Sequence, residues 1–248
     1  MTGRVVLGMA HLSPFGLSEQ WLLRDCGDRH WSLIARALGQ DSAVFADGAG
    51  RPVYAAFCAT SLQLDPARPA PGPGASIEIT ATLHAVSGAR IGSVQRIALG
   101  GQEIGRMRMI SAFVSHDDTG SNRRILRNTA MPGTGLPAAK PSLAALDGRA
   151  RRVARRLREA RPGPDALLRA TPVPALDFNA VGLLYFPTFS RLIETARPSL
   201  RPLAWREVVY CGNVDAGETL SVHDAGGGLD VARGDGRVIA HAVSAWQD

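Results

Sequence analysis

The chain has 248 residues, 45% of them hydrophobic and 20% charged, which suits one large globular domain or two small ones and excludes a disordered, collagen-like or disulfide-stapled protein. No stretch reaches the roughly 18 apolar residues of a membrane-spanning helix, and the first residues lack a signal-peptide hydrophobic region, so we expect a cytoplasmic protein without a membrane partner. Eight basic and two acidic residues between Lys140 and Arg161 account for the whole net charge of +6. A nucleic-acid partner, which needs basic residues spread over a face, is therefore not expected.

The first half is predicted to be one helix followed by antiparallel strands. Asp28 can cap a helix that contains Trp31 and ends near Gly39, and residues 18–24 are compatible with either a strand or a helix. Apolar runs separated by turns rich in Pro and Gly then predict strands at residues 53–64, 76–86, 91–99 and 103–114. A helix followed by successive antiparallel strands indicates the α+β class.

Residues 117–170 are predicted to be a long connection that carries one arginine-rich helix. Its apolar stripe consists of Leu143, Leu146, Ala150, Val153, Leu157 and Ala160. Two interpretations of the surrounding arginines are open. Either they are solvated side chains of a helix packed on a sheet, or they form a docking face for an anionic partner, with Arg152 and Arg156 binding the ligand.

The second half repeats the order of the first. A turn at residues 177–182 leads to a helix near Pro187, where proline is tolerated because the first backbone donors of a helix have no partner. Turns rich in Asp and Gly then separate predicted strands at residues 203–214, 219–223, 229–232 and 238–246. We therefore predict two halves, residues 1–116 and 171–248, joined by the connection.

The sequence lacks most of the common catalytic signatures. It has no GxxxxGK[ST] loop, no GxGxxG, no GxSxG and no HExxH motif. Its six histidines and three cysteines show no metal-ligand spacing, so no metal is expected. His30, predicted to stand in the first turn of the first helix, and its neighbour Trp31 are candidates for substrate binding, although a single histidine there is more often structural.

Two segments carry candidate chemistry. DFNAVGLLYF places Asp177, Asn179 and Gly182 before a helix start, where backbone N–H groups and an amide side chain can stabilise an oxygen that becomes negative. In this interpretation Asn179 is catalytic, and Asp177 and Gly182 bind the substrate. The alternative is that these residues only satisfy the turn. RPVYAAFCATSL places Tyr54 on a strand from which its phenol would enter an apolar pocket between sheet and helix, and the alternative there is ordinary core packing.

The segments MAHLSPFGLSEQWLLRDCGDRHWSLIARALG, RPVYAAF and DFNAVGLLYFPTFSRL follow one another in this order. Together they resemble the LnmK-type bifunctional acyltransferase/decarboxylases of polyketide biosynthesis and related biosynthetic proteins. The last segment also resembles a broader hot-dog signature found in acyl-thioester hydrolases. The resemblance implies a double hot-dog fold, in which an antiparallel sheet wraps a helix twice.

The resemblance also implies an activity. The protein would take a malonyl-type acyl group from coenzyme A, decarboxylate it and load the product onto an acyl carrier protein. Tyr54 matches the tyrosine that handles the acyl group in that family, either as acyl acceptor or as hydrogen-bond donor, and Asn179 is a candidate donor to the developing enolate. No cofactor is implied beyond the coenzyme A thioester and the phosphopantetheine of the carrier protein, and a monomer or a homodimer is expected.

Two other functions remain open. The same turn and helix suit a hot-dog thioesterase, which releases free acid, or a dehydratase, which forms a double bond. The dehydratase ranks lower because no histidine paired with an acidic partner stands out. The third possibility is a non-catalytic module that binds acyl thioesters or a carrier protein through the arginine-rich helix.

Overall fold

The computed structural model describes residues 1–68, 70–128 and 135–247, which form an antiparallel sheet and four α-helices. The helices are α1 (Glu19–Ala37), α2 (Pro141–Leu157), α3 (Pro174–Asp177) and α4 (Phe186–Ala196). The strands are β1 (Thr2–Val6), β2 (Leu12–Ser13), β3 (Gly16–Leu17), β4 (Phe45–Ala46), β5 (Pro52–Leu64), β6 (Ser76–Ser87), β7 (Arg90–Leu99), β8 (Gln102–His116), β9 (Ile125–Arg127), β10 (Leu168–Ala170), β11 (Leu203–Tyr210), β12 (Leu220–Asp224), β13 (Leu229–Arg233) and β14 (Val238–Trp246). Among the described residues, none of the helices has the length and apolar character needed to cross a membrane.

The large sheet contains the same strand order twice. Its strands run β1-β6-β7-β8-β5-β11-β14-β13-β12-β10, with β4 beside β5 and β9 beside β8. Along the chain, α1 lies between β1 and β5, and α4 lies between β10 and β11. Five strands of the first half therefore have counterparts in the second half. The counterparts of β1, β5, β6, β7 and β8 are β10, β11, β12, β13 and β14, in that order. This is the α+β arrangement, repeated in order, that the sequence predicts.

The two halves meet where β5 pairs with β11. The pairing is antiparallel and runs from Trp205 opposite Gln63 to Val209 opposite Ala59. Side chains add to the backbone ladder, because the Tyr210 hydroxyl lies 2.9 Å from the Thr60 hydroxyl. The sheet is therefore continuous across the junction.

The four predicted strands of the first half, which are β5 to β8, lie within one or two residues of their predicted bounds, whereas β1 to β4 were not predicted. One strand of the second half is shorter than predicted. β11 ends at Tyr210, four residues before the predicted end. The amides of Cys211 and Gly212 both donate to the Ile239 carbonyl, at 2.7 and 3.2 Å. Two donors on one carbonyl interrupt the regular alternation of an antiparallel ladder.

The prediction that Asp28 caps the first helix is wrong. α1 begins at Glu19, and the Ser18 hydroxyl accepts a hydrogen bond from the Trp21 amide at 3.3 Å, which satisfies one of the unpaired donors of the first turn. The ambiguous residues 18–24 are thus the cap and first turns of the helix. Asp28 lies inside α1 with an exposed side chain, because the apolar face already begins at Leu22.

The start of the second central helix is predicted correctly. α4 begins at Phe186 with Pro187 in its first turn, as expected near Pro187. The arginine-rich helix also forms, but α2 ends at Leu157, so Ala160 of the predicted stripe lies beyond it. The Arg158 amide donates to the Arg155 carbonyl three residues back, which tightens the last turn.

Helices cover both faces of the sheet. On the inner face, α1 packs Leu22 and Cys26 into the core of the first half, and α4 packs Phe189 and Leu192 into the core of the second half. On the outer face, α2 packs Leu143, Leu146 and Ala150 on side chains from β5, β7, β8 and β11. α2 therefore spans strands of both halves.

An ion triad around the buried Arg206 joins the two central helices to β11, with the Glu194 side chain 43% exposed. The Arg206 side chain, only 1% exposed, donates to Glu19 of α1 and to Glu194 of α4 at 2.5 Å each. Burial raises the pKa of Glu19, and the charge of Arg206 opposes that rise. Arg206 of the second half therefore forms ion pairs with a carboxylate from each half of the chain.

Candidate active site

The segment between α3 and α4 folds into a tight hairpin at the junction of the halves, and Asp177 lies at its base. The Asp177 carboxylate accepts hydrogen bonds from the Val173 amide at 2.8 Å and from Arg191 at 2.5 Å. Asp177 is buried and its charge is balanced by Arg191. Asp177 was predicted to bind substrate. In the structure its carboxylate forms the hydrogen bonds that hold the hairpin to α4.

Asn179 and Gly182 shape the tip of the hairpin. The Asn179 Oδ1 atom accepts from the amides of Val181 at 3.2 Å and Leu183 at 3.0 Å. The Gly182 amide donates to the Asn179 carbonyl at 2.9 Å, and Gly182 has φ +77°, a conformation that favours glycine. The amides near Gly182, predicted to stabilise an oxyanion, are thus used inside the hairpin. The Asn179 Nδ2 group forms no hydrogen bond with a described residue and keeps its donor capacity.

Asn122 joins this hairpin to the first half. It lies between β8 and β9, is buried, and donates from Nδ2 to the Gly182 carbonyl at 2.6 Å and to the Val214 carbonyl at 2.9 Å. Its backbone amide donates to Asp215 at 2.7 Å. Because both N–H bonds of the side-chain amide point at carbonyls, the orientation of that amide is fixed.

His116, the last residue of β8, is held by Asn122. Its Nε2 atom lies 2.8 Å from the Asn122 Oδ1 atom. Oδ1 can only accept, so Nε2 carries the proton, and the neutral ring keeps an unprotonated Nδ1. Nδ1 forms no hydrogen bond with a described residue. A neutral imidazole with one fixed and one unpaired nitrogen is the arrangement that a general base requires.

Tyr54 contacts His116. Its side chain lies on the outer face of β5, whereas the sequence analysis placed it between the sheet and the helix. Val53 and Ala55 pack with α1, so Tyr54, which alternates with them, points to the outer face. The prediction that its phenol enters a pocket between sheet and helix is wrong. Its ring meets the His116 ring edge-on, with centroids 5.6 Å apart.

These contacts define one cluster, which we call the seam cluster: Tyr54, His116, Asn122, Asn179 and Gly182. Three of its members are sequence-predicted site residues from opposite halves of the chain. The other two, His116 and Asn122, are missed by the sequence analysis and supply the connection. The only local signal for either is the turn-rich segment around Asn122, which predicts a loop and no partner for a histidine.

His30 lies outside the seam cluster, in the middle of α1. The prediction that it stands in the first turn is wrong. Its ring nitrogens lie 2.8 Å from the hydroxyls of Ser93 and Ser111, and the side chain is fully buried. Burial lowers its pKa from 6.5 to about 3. In this structure His30 has no surface or unpaired nitrogen to offer a ligand.

Trp31 of α1 lies on the inner side of β5. Its Nε1 group donates to the Ala55 carbonyl at 2.8 Å. Its ring lies 5.4 Å from the Phe57 ring and 6.4 Å from the Tyr185 ring. Trp31 therefore lines the contact between α1 and the segment that begins α4, where an apolar ligand group would meet aromatic surface.

Tyr185 closes the hairpin beside acidic α1 residues. Burial raises its pKa to about 12, with a further contribution from the charge of Asp28, opposed by Arg24. The pKa of Asp28 is itself raised, first by partial desolvation of its carboxyl group, although the side chain as a whole is exposed, and then by the charge of Asp25. The Tyr185 phenol thus stays protonated at neutral pH and is not a base.

Arg152 and Arg156, predicted to bind a ligand, are exposed on α2. Arg156 approaches Asp230 at 3.8 Å, whereas Arg152 has no hydrogen bond or ion pair with a described residue. Two neighbouring arginines form ion pairs with the rest of the protein: Arg149 donates to Glu207 and Arg151 donates to Asp147. The arginines of α2 thus divide into a packed set and a free, solvent-facing set, and none belongs to the seam cluster.

The first half carries a second hairpin in the equivalent place before α1. There the Ser13 hydroxyl accepts from the Phe15 amide at 3.2 Å, and Gly16 has φ +102°, as Asn179 and Gly182 do in the other half. The strand that should meet this hairpin is β14, the counterpart of β8. β14 ends in Trp246 where β8 ends in His116, so the strand equivalent to β8 does not end in a histidine.

The fold is that of the hot-dog proteins. No family model matches the sequence, and no curated protein matches it. Among solved structures, the chain resembles a 12:0-acyl-carrier-protein thioesterase from Umbellularia californica, with 12% identity, coverage of 99% of this chain and 96% of the other, and a TM-score of 0.67. It also resembles an acyl-carrier-protein thioesterase from Bacteroides thetaiotaomicron, with 14% identity, 98% and 96% coverage and a TM-score of 0.63, and HtdX from Mycobacterium tuberculosis, with 11% identity, 94% and 90% coverage and a TM-score of 0.56.

These likenesses correct the function expected from the sequence. The prediction of an acyltransferase/decarboxylase is wrong, because the solved structures that share the fold over nearly the full chain include acyl-carrier-protein thioesterases. They favour the alternative of a hot-dog acyl-thioesterase. Membership of the LnmK-type family finds no support beyond the hot-dog fold.

Proposed function

We propose that this chain is a double hot-dog enzyme that hydrolyses acyl thioesters. The two hot-dog units are the halves of residues 1–116 and 171–248, and residues 117–170 connect them. The observation that carries the proposal is the His116 imidazole, which Asn122 fixes with its Nδ1 lone pair free. The full-length likeness to thioesterase structures supports the choice of substrate class.

The seam cluster suggests how hydrolysis proceeds. His116 takes a proton at Nδ1 from a water molecule, whose oxygen bonds to the thioester carbonyl carbon. The carbonyl oxygen becomes negative and accepts a hydrogen bond from the Asn179 Nδ2 group. The carbon–sulfur bond then breaks, and the thiolate receives the proton from His116. Water and thioester are thereby converted to a carboxylic acid and a thiol.

The acyl group would be carried by an acyl carrier protein or by coenzyme A. Acyl carrier protein is the carrier named for two of the similar structures. The exposed arginines of α2, including Arg152 and Arg156, give the outer face a positive field that would attract the acidic surface of a carrier protein.

Release of free thiol from a panel of acyl-coenzyme A and acyl-carrier-protein substrates tests the proposal. His116→Gln should lower kcat roughly 10²- to 10⁴-fold, because a general base is lost. His11→Asn is the matched control, since His11 belongs to the first-half hairpin and asparagine keeps an acceptor for the Gly8 amide. The proposal would be contradicted if His11→Asn lost activity while His116→Gln kept full activity. That result would place the base in the first-half hairpin.

A further inference from the structure

α2 covers one row of side chains on the outer face of the sheet. Its Leu143 side chain lies over Gly92 of β7, and its Leu157 side chain packs on Ala232 of β13. The helix therefore crosses the strands, and Ala59 of β5 lies beneath its middle. Because β5 continues past Ala59, the outer face extends beyond the helix.

Two further rows of side chains lie next to α2 on this face. Residues paired on adjacent antiparallel strands share a face of the sheet, and the register places Arg108 opposite Ser61 and Arg106 opposite Gln63. Met107, which alternates with the two arginines, packs in the core on the other face. What we call the basic face consists of Arg149 of α2, a nearer row of Arg108, Ser61 and Glu207, and a farther row of Arg96, Arg106, Gln63 and Trp205.

The spacing of these rows suits a second helix beside α2. Successive rows on one face of a strand are about 7 Å apart, and packed helices lie about 8–10 Å apart. A helix parallel to α2 would therefore lie over Arg108 and Arg106. Gln63 is exposed, and the side chains of Arg96 and Arg106 are 39% and 38% exposed. The farther row is thus open to a partner.

Two acids hold three of the four arginines of the basic face. Glu103 pairs with Arg96 at 3.3 Å and with Arg106 at 2.6 Å. Glu207 accepts hydrogen bonds from Nε and Nη2 of Arg149, at 3.1 and 2.7 Å. Four arginines beside two acids leave an excess of positive charge, which favours an acidic partner.

Arg108 is the fourth arginine, and its charge is not compensated. Its side chain forms no hydrogen bond or ion pair with a described residue, and its Nε atom is buried. Desolvation lowers the pKa of Arg108, and the charges of Arg106 and Arg149 lower it further, against the opposite effect of Glu103 and Glu207. A cation withdrawn from water without an acid partner is unfavourable. A carboxylate from a partner would remove that cost.

Trp205 gives the basic face an aromatic contact surface. Its Nε1 group donates to the Ser61 hydroxyl at 3.3 Å, and its side chain is only partly buried. Trp and Arg are the residues that most often dominate the binding energy of protein interfaces. Arg108 on β8 and Trp205 on β11 are separated by β5 alone, so one bound helix can contact both halves of the chain.

We propose that the basic face docks an acidic helix of a protein partner, with a carboxylate of that helix paired to Arg108. Carboxylates at every third or fourth position of a helix lie on one side of it, so a single helix can present them along the face. The proposal does not rest on thioester hydrolysis.

Fluorescence anisotropy of a labelled peptide at low ionic strength tests the proposal. The probe is an alanine-rich helical peptide of about 20 residues with glutamates along one side. We expect saturable binding that weakens about tenfold or more in Arg108→Gln, because a hydrogen bond between charged groups is lost. Arg108→Lys keeps the charge and should keep most of the affinity, which separates loss of charge from loss of fold.

Arg169→Gln is the matched control. Arg169 is an exposed strand arginine on β10, six strands from β8 in the sheet, or about 29 Å, so this variant should bind the peptide as the unchanged protein does. Absence of saturable binding would overturn the proposal, as would equal affinity for a peptide with glutamine in place of glutamate. Equal weakening in Arg108→Gln and Arg169→Gln, or in Arg108→Gln and Arg108→Lys, would also overturn it. None of these readouts requires turnover, so a failed hydrolysis assay leaves them unaffected.

Discussion

At the scale of single residues, Asn122 decides which nitrogen of His116 carries the proton. Its two N–H bonds go to the carbonyls of Gly182 and Val214, so its oxygen is left for the imidazole. Asn122 is a positioning residue in this scheme, since it acts on the reaction only through His116.

Asn122→Ala should therefore lower kcat and leave KM nearly unchanged, because the imidazole loses its orientation while the surfaces that bind substrate remain. The fall should not exceed that of His116→Gln. Steady-state kinetics on the best acyl thioester measure both constants. A rise in KM with normal kcat would mean that Asn122 shapes the binding surface and does not position the base.

His30 predicts how stability depends on pH. Its pKa is about 3 in the folded protein and 6.5 as the ordinary value, so the unfolded chain binds the extra proton as the pH falls below 6.5. Stability must then decrease toward acid. We expect His30 to contribute a loss of about 1 kcal/mol between pH 7 and pH 5.5.

Urea unfolding of the unchanged protein and of His30→Gln at these two pH values measures that loss as a difference. The variant should show a smaller decrease in the free energy of unfolding. Equal decreases would mean that His30 takes up a proton in the folded protein, contrary to its buried position between Ser93 and Ser111.

Part of the candidate site follows from sequence because its chemistry is local. Asp177, Asn179 and Gly182 stand in a turn whose hydrogen bonds close within a few residues, so residue type and spacing indicate it. The partnership of His116 with Asn122 depends on where β8 ends relative to the other half of the sheet. No local pattern encodes that position.

At the scale of elements, α1 crosses the start of α4 at Gly27. A Cβ atom at Gly27 would lie 3.0 Å from Cζ of Phe186, and the Phe186 ring is held by Phe57 with centroids 4.4 Å apart. A Cβ atom at position 27 would therefore require the Phe186 ring to shift by a few tenths of an ångström.

Gly27→Ala should destabilise the protein by about 1–3 kcal/mol through overpacking, although alanine favours a helix. Gly148→Ala in α2 is the matched control, because its new Cβ would meet only Arg152 at 3.6 Å and should stabilise by roughly 0.5–1 kcal/mol. Thermal unfolding of both variants measures the effects. Stabilisation by both would show that the Phe186 ring yields without cost.

Strands are easier to locate from this sequence than helix starts. The runs of β5 to β8 are long, apolar and bounded by glycine or proline, so their bounds are fixed within one or two residues. The start of α1 is missed because Asp28 resembles a cap as much as Ser18 does. The packing of Leu22 and Leu23 in the core, which depends on the folded sheet, decides between them.

At the scale of the whole molecule, Arg206 connects the halves through its ion pairs to Glu19 and Glu194. Removing the buried cation leaves the partly buried Glu19 without a partner, whereas water can solvate Glu194, which is 43% exposed. Arg206→Leu should thus lower the free energy of unfolding by about 1–3 kcal/mol.

Arg197→Leu provides the control, since Arg197 pairs with Asp224 in solvent and exposed pairs contribute little. Urea unfolding of both variants gives the comparison. Similar losses in the two variants would mean that water reaches the Arg206 triad and screens it.

The repeated order of helices and strands is visible in the sequence, because each half has its own turns and apolar runs. The activity is not visible in the sequence, because the segments that resemble LnmK-type enzymes are those that form a central helix and its preceding hairpin. Such segments specify the shared fold, whereas the hydrolysis proposed above would depend on side chains that meet across the junction. This is why a fold-level resemblance led to the wrong reaction.

The most direct test of the account is the fate of solvent oxygen during turnover. The protein is incubated with acyl thioesters in ¹⁸O-labelled water, and products and protein are weighed by mass spectrometry. Hydrolysis through His116 predicts one ¹⁸O atom in the free acid from the first turnover, an unmodified protein mass, and loss of the product in His116→Gln. Unlabelled acid, or an acyl group attached to Tyr54, would contradict it.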